Sequence, residues 1–298
     1  MIKIRMISHW KHALCCALLL GIAIQNHGSA QEPKLSPAAR ASVQVFLSAS
    51  GKHDSPAIPD RSELSVSIDK QPAQVISLRS AKDDKLLFAV LVDDSTSNAD
   101  RAASIKEAAV QLFQSLSVGG NQGYLVVFDA SVSTSKRPLQ PSDVRRELAN
   151  IKFRGATAIY DAIKVTCTQT LSRSRNADFP RRAIIVLSDG NDNQSHISPT
   201  EAVDAAEKEG VVIFSLVIPS AEGRGEQFLR EASRNTGGQI NIATELGEGV
   251  APILASIQGQ LALGLVSPQA PDQKLHSFAV NCSNKKIHVS APAHVFIQ

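Results

Sequence analysis

The sequence predicts an α/β protein built on a doubly wound, mainly parallel sheet with flanking β segments. Three observations predict it. Apolar runs recur at Leu86–Val92, Tyr124–Phe128, Ala183–Leu187 and Val211–Ile218, as strands buried on both faces require. Segments with apolar residues at helical spacing lie between them, which puts helices on both faces of a parallel sheet. Stretches of period two sit before and after this alternation and mark additional β structure.

Residues 1–30 read as a leader rather than as part of the fold. Lys3, Arg5 and Lys11 make a basic start, Ala13–Ile24 an apolar run, and Gly28-Ser29-Ala30 a small-residue exit. That order matches a secretory signal peptide cut near Ala30. A retained membrane anchor is the alternative, but the run of twelve residues falls short of the ~20 that cross a bilayer as a helix. Cys15 and Cys16 lie inside the run, not after it, which argues against a lipid anchor. Cleavage removes three of the 31 basic residues and none of the 28 acidic ones, leaving a formally neutral chain. Nothing in that balance points to nucleic acid or to an anionic membrane. The expected location is secreted or periplasmic, with no membrane insertion after cleavage. An oxidising compartment permits a disulfide between Cys167 and Cys282; two separate buried thiols remain open as well, and no cysteine spacing suggests zinc.

Residues 31–83 form a short β module. Residues 31–40 are polar and contain proline. Val43, Val45 and Leu47 alternate with polar residues, as do Leu64, Val66 and Ile68. Asp69-Lys70-Gln71-Pro72 reads as a turn, and Val75, Ile76 and Leu78 continue beyond it.

Residues 84–262 hold the alternating region. After the first buried strand, Ile105, Ala108, Ala109, Leu112, Phe113 and Leu116 share one helix face. The glycines at 119–123 follow a helix and precede a strand, the wrong order for a phosphate loop, so they read as a turn. The segment 132–139 returns as an antiparallel edge strand, a short helix spans 142–150, and another starts near Ala158. Ser198-Pro199-Thr200-Glu201 is a capping box with proline at the first helical position, and Gly210 stops that helix. A further helix ends at Gly237, and a short strand near 239–242 closes the sheet. The last helix places Val250, Ile253, Leu254, Ile257 and Leu261 on one side. In residues 263–298, Phe278, Val280 and Cys282 alternate, Ser283-Asn284 turns, and Ile287 and Val289 alternate on the return, a β-hairpin tail.

Ligands of such sheets bind beyond the carboxyl ends of the strands, where strand order reverses. Three loops there carry oxygen-bearing side chains: Asp93-Asp94-Ser95-Thr96-Ser97, Gly155-Ala156-Thr157-Ala158-Ile159-Tyr160-Asp161, and Ser188-Asp189-Gly190. Singly each has a bland explanation. Asp93 reads as a solvent-facing strand end, and Ser97 and Thr157 are plausible helix caps. Asp94 and Asp192 read as turn carboxylates that add negative field, and His196 as a surface histidine at a helix start.

Together, Asp93, Ser95, Ser97, Thr157 and Asp189 resemble the five-residue metal-ion-dependent adhesion site of von Willebrand factor type A domains. The apolar strand before Asp93, the Gly-x-Thr-x-Ile-Tyr-Asp-Ala stretch and the Ile-Val-Leu-Ser-Asp-Gly stretch carry the same resemblance, over about residues 84–262. It implies a Rossmann-like fold and a divalent cation, Mg²⁺ or alternatively Mn²⁺ or Ca²⁺, held by those five residues. It also implies an open coordination position for an Asp or Glu carboxylate of a partner protein, and a Thr157 that joins or leaves the ion as affinity changes. The flanks resemble a secreted bacterial subgroup, often found in acidobacteria, with a β module before the domain and a β tail after it. The ligand chemistry agrees, since a small hard cation prefers oxygen ligands and gives up water reluctantly.

Three function classes follow. The first is a non-enzymatic binding module acting through the metal. The second is a metal-independent scaffold in an envelope assembly. The third is a metal-dependent hydrolase, disfavoured because the donor set is rich in hydroxyls and the sequence holds no nucleophile elbow or His-Glu-x-x-His motif.

Overall fold

The computed structural model describes residues 41–298 other than 53, 54, 56, 173–175 and 220–223. The predicted leader and the lead-in at 31–40 lie outside the described residues. The N-terminal flank forms β1 (Ser42–Ser50), β2 (Leu64–Ile68), β3 (Gln71–Pro72) and β4 (Gln74–Ser80). The alternating region follows as β5 (Leu86–Asp93), α1 (Ala102–Leu116), β6 (Gln122–Phe128), β7 (Val132–Thr134), α2 (Pro141–Ala149), α3 (Ile159–Val165), β8 (Arg181–Ser188), α4 (Pro199–Glu209), β9 (Val211–Val217), α5 (Arg224–Asn235), β10 (Ile240–Ile242) and α6 (Leu246–Gln258). The chain ends with β11 (Leu261–Val266), β12 (Lys274–Cys282), β13 (His288–Ser290) and β14 (His294–Ile297).

The six-stranded central sheet has the order β10-β9-β8-β5-β6-β7. Its pairings are parallel except that of β7 with β6, which is antiparallel. Strand β5 shows why this sheet is buried. Phe88, Val90 and Val92 point into an apolar layer shared with α1, α2 and α6. Leu87, Ala89 and Leu91 point into the opposite layer, shared with α3, α4 and α5. Period two on a continuous apolar run thus feeds two cores at once. The winding direction reverses between β5 and β8, which lie side by side. Their carboxyl ends, Asp93 and Ser188, therefore border one crevice.

Local signals place the helices. Ser198 Oγ accepts the Glu201 N–H at 3.2 Å, the Glu201 carboxylate accepts the Ser198 N–H at 2.9 Å, and Gly210 ends α4 at φ +65°. This is the expected reciprocal cap and left-handed stop. Beyond α3 the helix widens into a π-type turn over Thr166–Thr170.

The flanks interleave. The sheet β13-β1-β11-β4 and the sheet β14-β12-β2-β3 each combine N-terminal and C-terminal strands. Together they enclose a third apolar core containing Val45, Leu47, Ile68, Leu263, Leu265 and Ile297. Leu261, placed on the last helix by its spacing, instead opens β11, because α6 stops at Gln258. Leu261, Leu263 and Leu265 also satisfy period two, and pairing with Leu47, Val45 and Val43 of β1 decides between the two readings. Cys167 is buried in the central domain, Cys282 is half-buried on β12, and both are free thiols.

Candidate metal centre

Backbone hydrogen bonds stitch the three loops together. The Asp94 N–H donates to Phe128 O at 3.0 Å, and Asp94 O accepts the Arg154 N–H at 2.6 Å. Thr96 donates to Gly155 O from its N–H at 3.2 Å and from its hydroxyl at 3.1 Å. The second loop joins the third through Thr157, whose N–H donates to Asn193 Oδ1 at 2.9 Å. The Thr157 carbonyl accepts the N–H groups of Asn193 and Gln194 at 3.1 and 3.0 Å. These bonds fix the backbone of Thr157 and leave its hydroxyl outside them.

The side chains are set from the strand ends. Asp93 is fully buried, contrary to the solvent-facing position its place in the sequence suggests. One of its oxygens accepts the Ser95 N–H at 3.0 Å and the other the Ser188 hydroxyl at 2.5 Å. Ser95 is buried and Ser97 exposed, with their hydroxyl oxygens 3.2 Å apart. Asn98, fully buried, holds its Nδ2 3.4 Å from Ser95 Oγ, and its Oδ1 has no hydrogen-bond partner. Asp189 is buried and is steadied by Asn191, whose N–H and side-chain amide donate to its two oxygens at 3.1 and 3.2 Å.

The electrostatics are those of a site short of positive charge. Burial pushes the Asp93 carboxyl up to about 6; the bonds from Ser188 and Ser95 oppose that rise, and the nearby charge of Asp189 adds to it. Burial likewise pushes Asp94 up to about 6, with Asp129 and Asp93 contributing. Asp94 Oδ1 is buried and without a hydrogen-bond partner. Among the described residues, no basic side chain pairs with Asp93 or Asp189. Groups of three or more His, Cys, Asp or Glu able to hold a metal are likewise absent among them. A cation here would rest on hydroxyls as much as carboxylates, a hard-oxygen donor set that suits Mg²⁺, Mn²⁺ or Ca²⁺.

Of the other residues singled out in the sequence, Asp192 is anchored rather than free. It accepts the Tyr160 N–H at the start of α3 at 3.2 Å and the Ser195 hydroxyl at 2.6 Å. His196 is exposed just before α4, its Nδ1 2.8 Å from Asp161. Sequence reading missed Ser188, Asn98 and Asn193 as supports. Ser188 lies in a loop already singled out and Asn193 directly follows Asp192, but only tertiary contact shows what they hold. Gly190, at φ +78°, lets the Asp189 loop pack against Gly225 of α5.

A doubly wound sheet with a hydroxyl-and-carboxylate crevice at its switch point defines a class of domain, and comparison with known proteins gives the family. The family model described as von Willebrand factor type A domain matches residues 88–248, just over half of the chain. The chain belongs to that family. No curated protein matches it in sequence. Among solved structures it is similar to proximal thread matrix protein 1 from the mussel byssus, at 16% identity and a TM-score of 0.50, covering 71% of this chain and 50% of that one. A second structure of the mussel protein, with a zinc-occupied metal-ion-dependent adhesion motif, shares 16% identity at a TM-score of 0.49 and covers 62% of this chain and 48% of that one. A von Willebrand factor type A protein from Catenulispora acidiphila shares 9% identity at a TM-score of 0.45, covering 87% of this chain and 73% of that one. The chain thus spans about half the length of the mussel protein it matches.

Proposed function

We propose that this chain is an exported, non-enzymatic binding module that recognises a partner protein's Asp or Glu carboxylate through a divalent cation. Asp93, Ser95, Ser97, Thr157 and Asp189 would hold the ion, with Mg²⁺ the first choice and Mn²⁺ or Ca²⁺ the alternatives. The observation that carries this reading is a buried pair of carboxylates, Asp93 and Asp189, beside two hydroxyl oxygens 3.2 Å apart, with no basic side chain to neutralise them among the described residues. Buried charge without a counter-charge is costly. A bound cation removes that cost, and the exposed Ser97 puts the ion at the surface, where a partner's anion reaches it.

The residues divide the work. Ser188 and the Ser95 N–H orient Asp93, Asn191 orients Asp189, and Asn193 holds the Thr157 backbone. The ion, when bound, supplies a Lewis-acidic point of attachment for an incoming carboxylate. Two formal negative charges balance a divalent ion, so the outside carboxylate is drawn chiefly at short range. The hydroxyl-rich donor set supports binding over hydrolysis, which would call for a base beside the ion. Export rests on the predicted leader, and among the described residues no helix is long and apolar enough to cross a membrane.

The test is capture from the native envelope on the immobilised chain, with Mg²⁺ and with chelator. A partner retained only with metal, and lost in Asp93→Asn, supports the reading. Equal capture in chelator, or by Asp93→Asn, removes the metal from the mechanism and leaves the scaffold reading. Metal-dependent turnover in a hydrolase screen would replace binding with catalysis.

A further inference from the structure

A cavity of about 540 Å³ lies at the end of the central sheet remote from Asp93. Its walls include Val211 and Val212 at the start of β9, Pro180 ahead of β8, and parts of β1 and β14. The register of β1 shows what it presents there. Ser267 N–H donates to Ala41 O at 2.9 Å, and Val43, Val45 and Leu47 sit opposite Leu265, Leu263 and Leu261. In an antiparallel pair the hydrogen-bonded positions alternate, so the odd-numbered residues of β1 bond to β11. The backbone groups of the even-numbered residues point to the other edge. Strand β13 occupies that edge opposite Ser48–Ser50 and then leaves for the second sheet. Beside Ser42, Gln44 and Phe46 no strand pairs among the described residues. On the far side of the same cavity is β14, the edge strand of the other sheet. His294, which opens β14, is held to the buried Glu207 of α4 at 3.0 Å from both carboxylate oxygens.

We propose that this cleft takes up an extended strand of a partner protein, which pairs with the β1 edge at Ser42, Gln44 and Phe46. A row of alternating N–H and C=O groups at strand spacing matches another backbone. The segment Ser42–Leu47 offers about 20 Å of edge at ~3.3 Å per residue, room for five or six partner residues. Continuity supplies the second argument: β13 already pairs along this edge and stops where the cavity begins. Phe46, Pro180, Val211 and Val212 line the cavity together with Arg182, Glu207 and His294, so the incoming strand alternates apolar side chains with polar ones. The site is separate from the metal centre and needs neither Asp93 nor a cation.

The experiment uses the purified chain and a synthetic peptide, Lys-Lys-Val-Thr-Val-Thr-Val-Thr-Lys-Lys, at millimolar concentration. Amide hydrogen exchange reads the edge. The expected result is about tenfold slower exchange at Ser42, Gln44 and Phe46, unchanged by chelator, with the open edges of β4 and β10 unaffected. A peptide methylated on alternate backbone nitrogens should not protect. Gln44→Pro should abolish the effect, because it removes an edge donor that β11 does not use. No protection, protection at β4 or β10 instead, or equal protection by the methylated peptide overturns the proposal, whether or not Gln44→Pro folds. Protection that appears without peptide and rises with a dimer in sedimentation would assign the edge to a second copy. Protection lost on deleting residues 31–40 would assign it to the chain's own lead-in. Either result refutes a partner strand.

Discussion

Ser97→Ala separates metal binding from folding, because Ser97 is exposed and its hydrogen bond is to the neighbouring Ser95 hydroxyl. Removing that hydroxyl in chelator should change stability by less than about 0.5 kcal/mol, as for an ordinary surface substitution. With metal the outcome differs. A ligand that binds the folded state alone stabilises by RT ln(1 + [L]/Kd), about 2.7 kcal/mol at a hundred times Kd. A domain of this size gains roughly 2–4 °C in Tm per kcal/mol, so saturating Mg²⁺ should raise the wild-type Tm by about 5–10 °C. Loss of one oxygen ligand, taken as tenfold in affinity, leaves about 1.4 kcal/mol at the same Mg²⁺ concentration, or about 3–5 °C. Scanning calorimetry across a MgCl₂ titration measures both numbers. A wild-type Tm indifferent to Mg²⁺, Mn²⁺ and Ca²⁺, or a Ser97→Ala variant with the full wild-type response, refutes the assignment of this crevice as a metal site.

Arg181 is buried and donates to Ala81 O, Gln260 Oε1 and Ile257 O, so Arg181→Met should cost about 3–5 kcal/mol in urea denaturation by stranding those acceptors. Gly225→Ala would put a Cβ 2.2 Å from the Gly190 carbonyl carbon; it should destabilise by about 1–3 kcal/mol and blunt the Mg²⁺ response by shifting Asp189, which parallel calorimetry of the two forms will show. His276 bridges Asp69 at 2.7 Å and Asp272 at 2.9 Å, an arrangement that raises the histidine and lowers both carboxylates. The histidine's contribution is present below about pH 6.5 and lost as pH rises through its raised value, whereas the carboxylates contribute above about pH 4 and lose this as pH falls. The Tm difference between wild type and His276→Gln should therefore peak between those limits, and a difference flat with pH would count against the bridge. Leu47→Ala, in the sandwich core with no exposed surface, should cost about 2–5 kcal/mol in the same denaturation assay.

How much of this was legible in the sequence depended on the range of the signal. The α4 start and stop were readable because a cap is settled within three or four residues, and Ser198, Glu201 and Gly210 form the expected geometry. Strand β5 was readable because burial on both faces leaves an apolar run with no alternation. Leu261 was misplaced because it lies four residues after Ile257 and two before Leu263, so helical and extended periods both fit until β1 supplies a partner. The sandwich stayed open for the same reason: Phe278 faces Ile68 and Val280 faces Val66 across more than two hundred residues, and no local pattern encodes that choice. The five oxygen-bearing residues were visible as a set, but the burial of Asp93 was not. Nor was its support: Ser188 reaches the carboxylate from the neighbouring strand only once the sheet has ordered.

The sandwich also bears on how the metal centre can behave. The loop holding Ser95 and Ser97 runs directly into α1, α1 packs against α6, and α6 connects through Gly259 and Gln260 to β11. β11 is fixed on both sides, by β1 over Ser42–Leu47 and by β4 over Gln74–Ser80. Arg181 holds the same junction through Ile257 O and Gln260. Sliding α6 along its axis would therefore break a buried charged hydrogen-bond cluster and shift two antiparallel registers, and a one-residue slip in either would turn Leu263 and Leu265 out of the core. Those costs act together because they share one short connection. Motion at the crevice that depends on α6 is accordingly opposed by the sandwich, so any metal affinity of the proposed site should be that of one fixed arrangement. Arg181→Met, which loosens the clamp without touching the crevice, gives the comparison: its Mg²⁺ affinity in calorimetry should differ from wild type, and an unchanged affinity would show that the crevice is held by its own loop bonds instead.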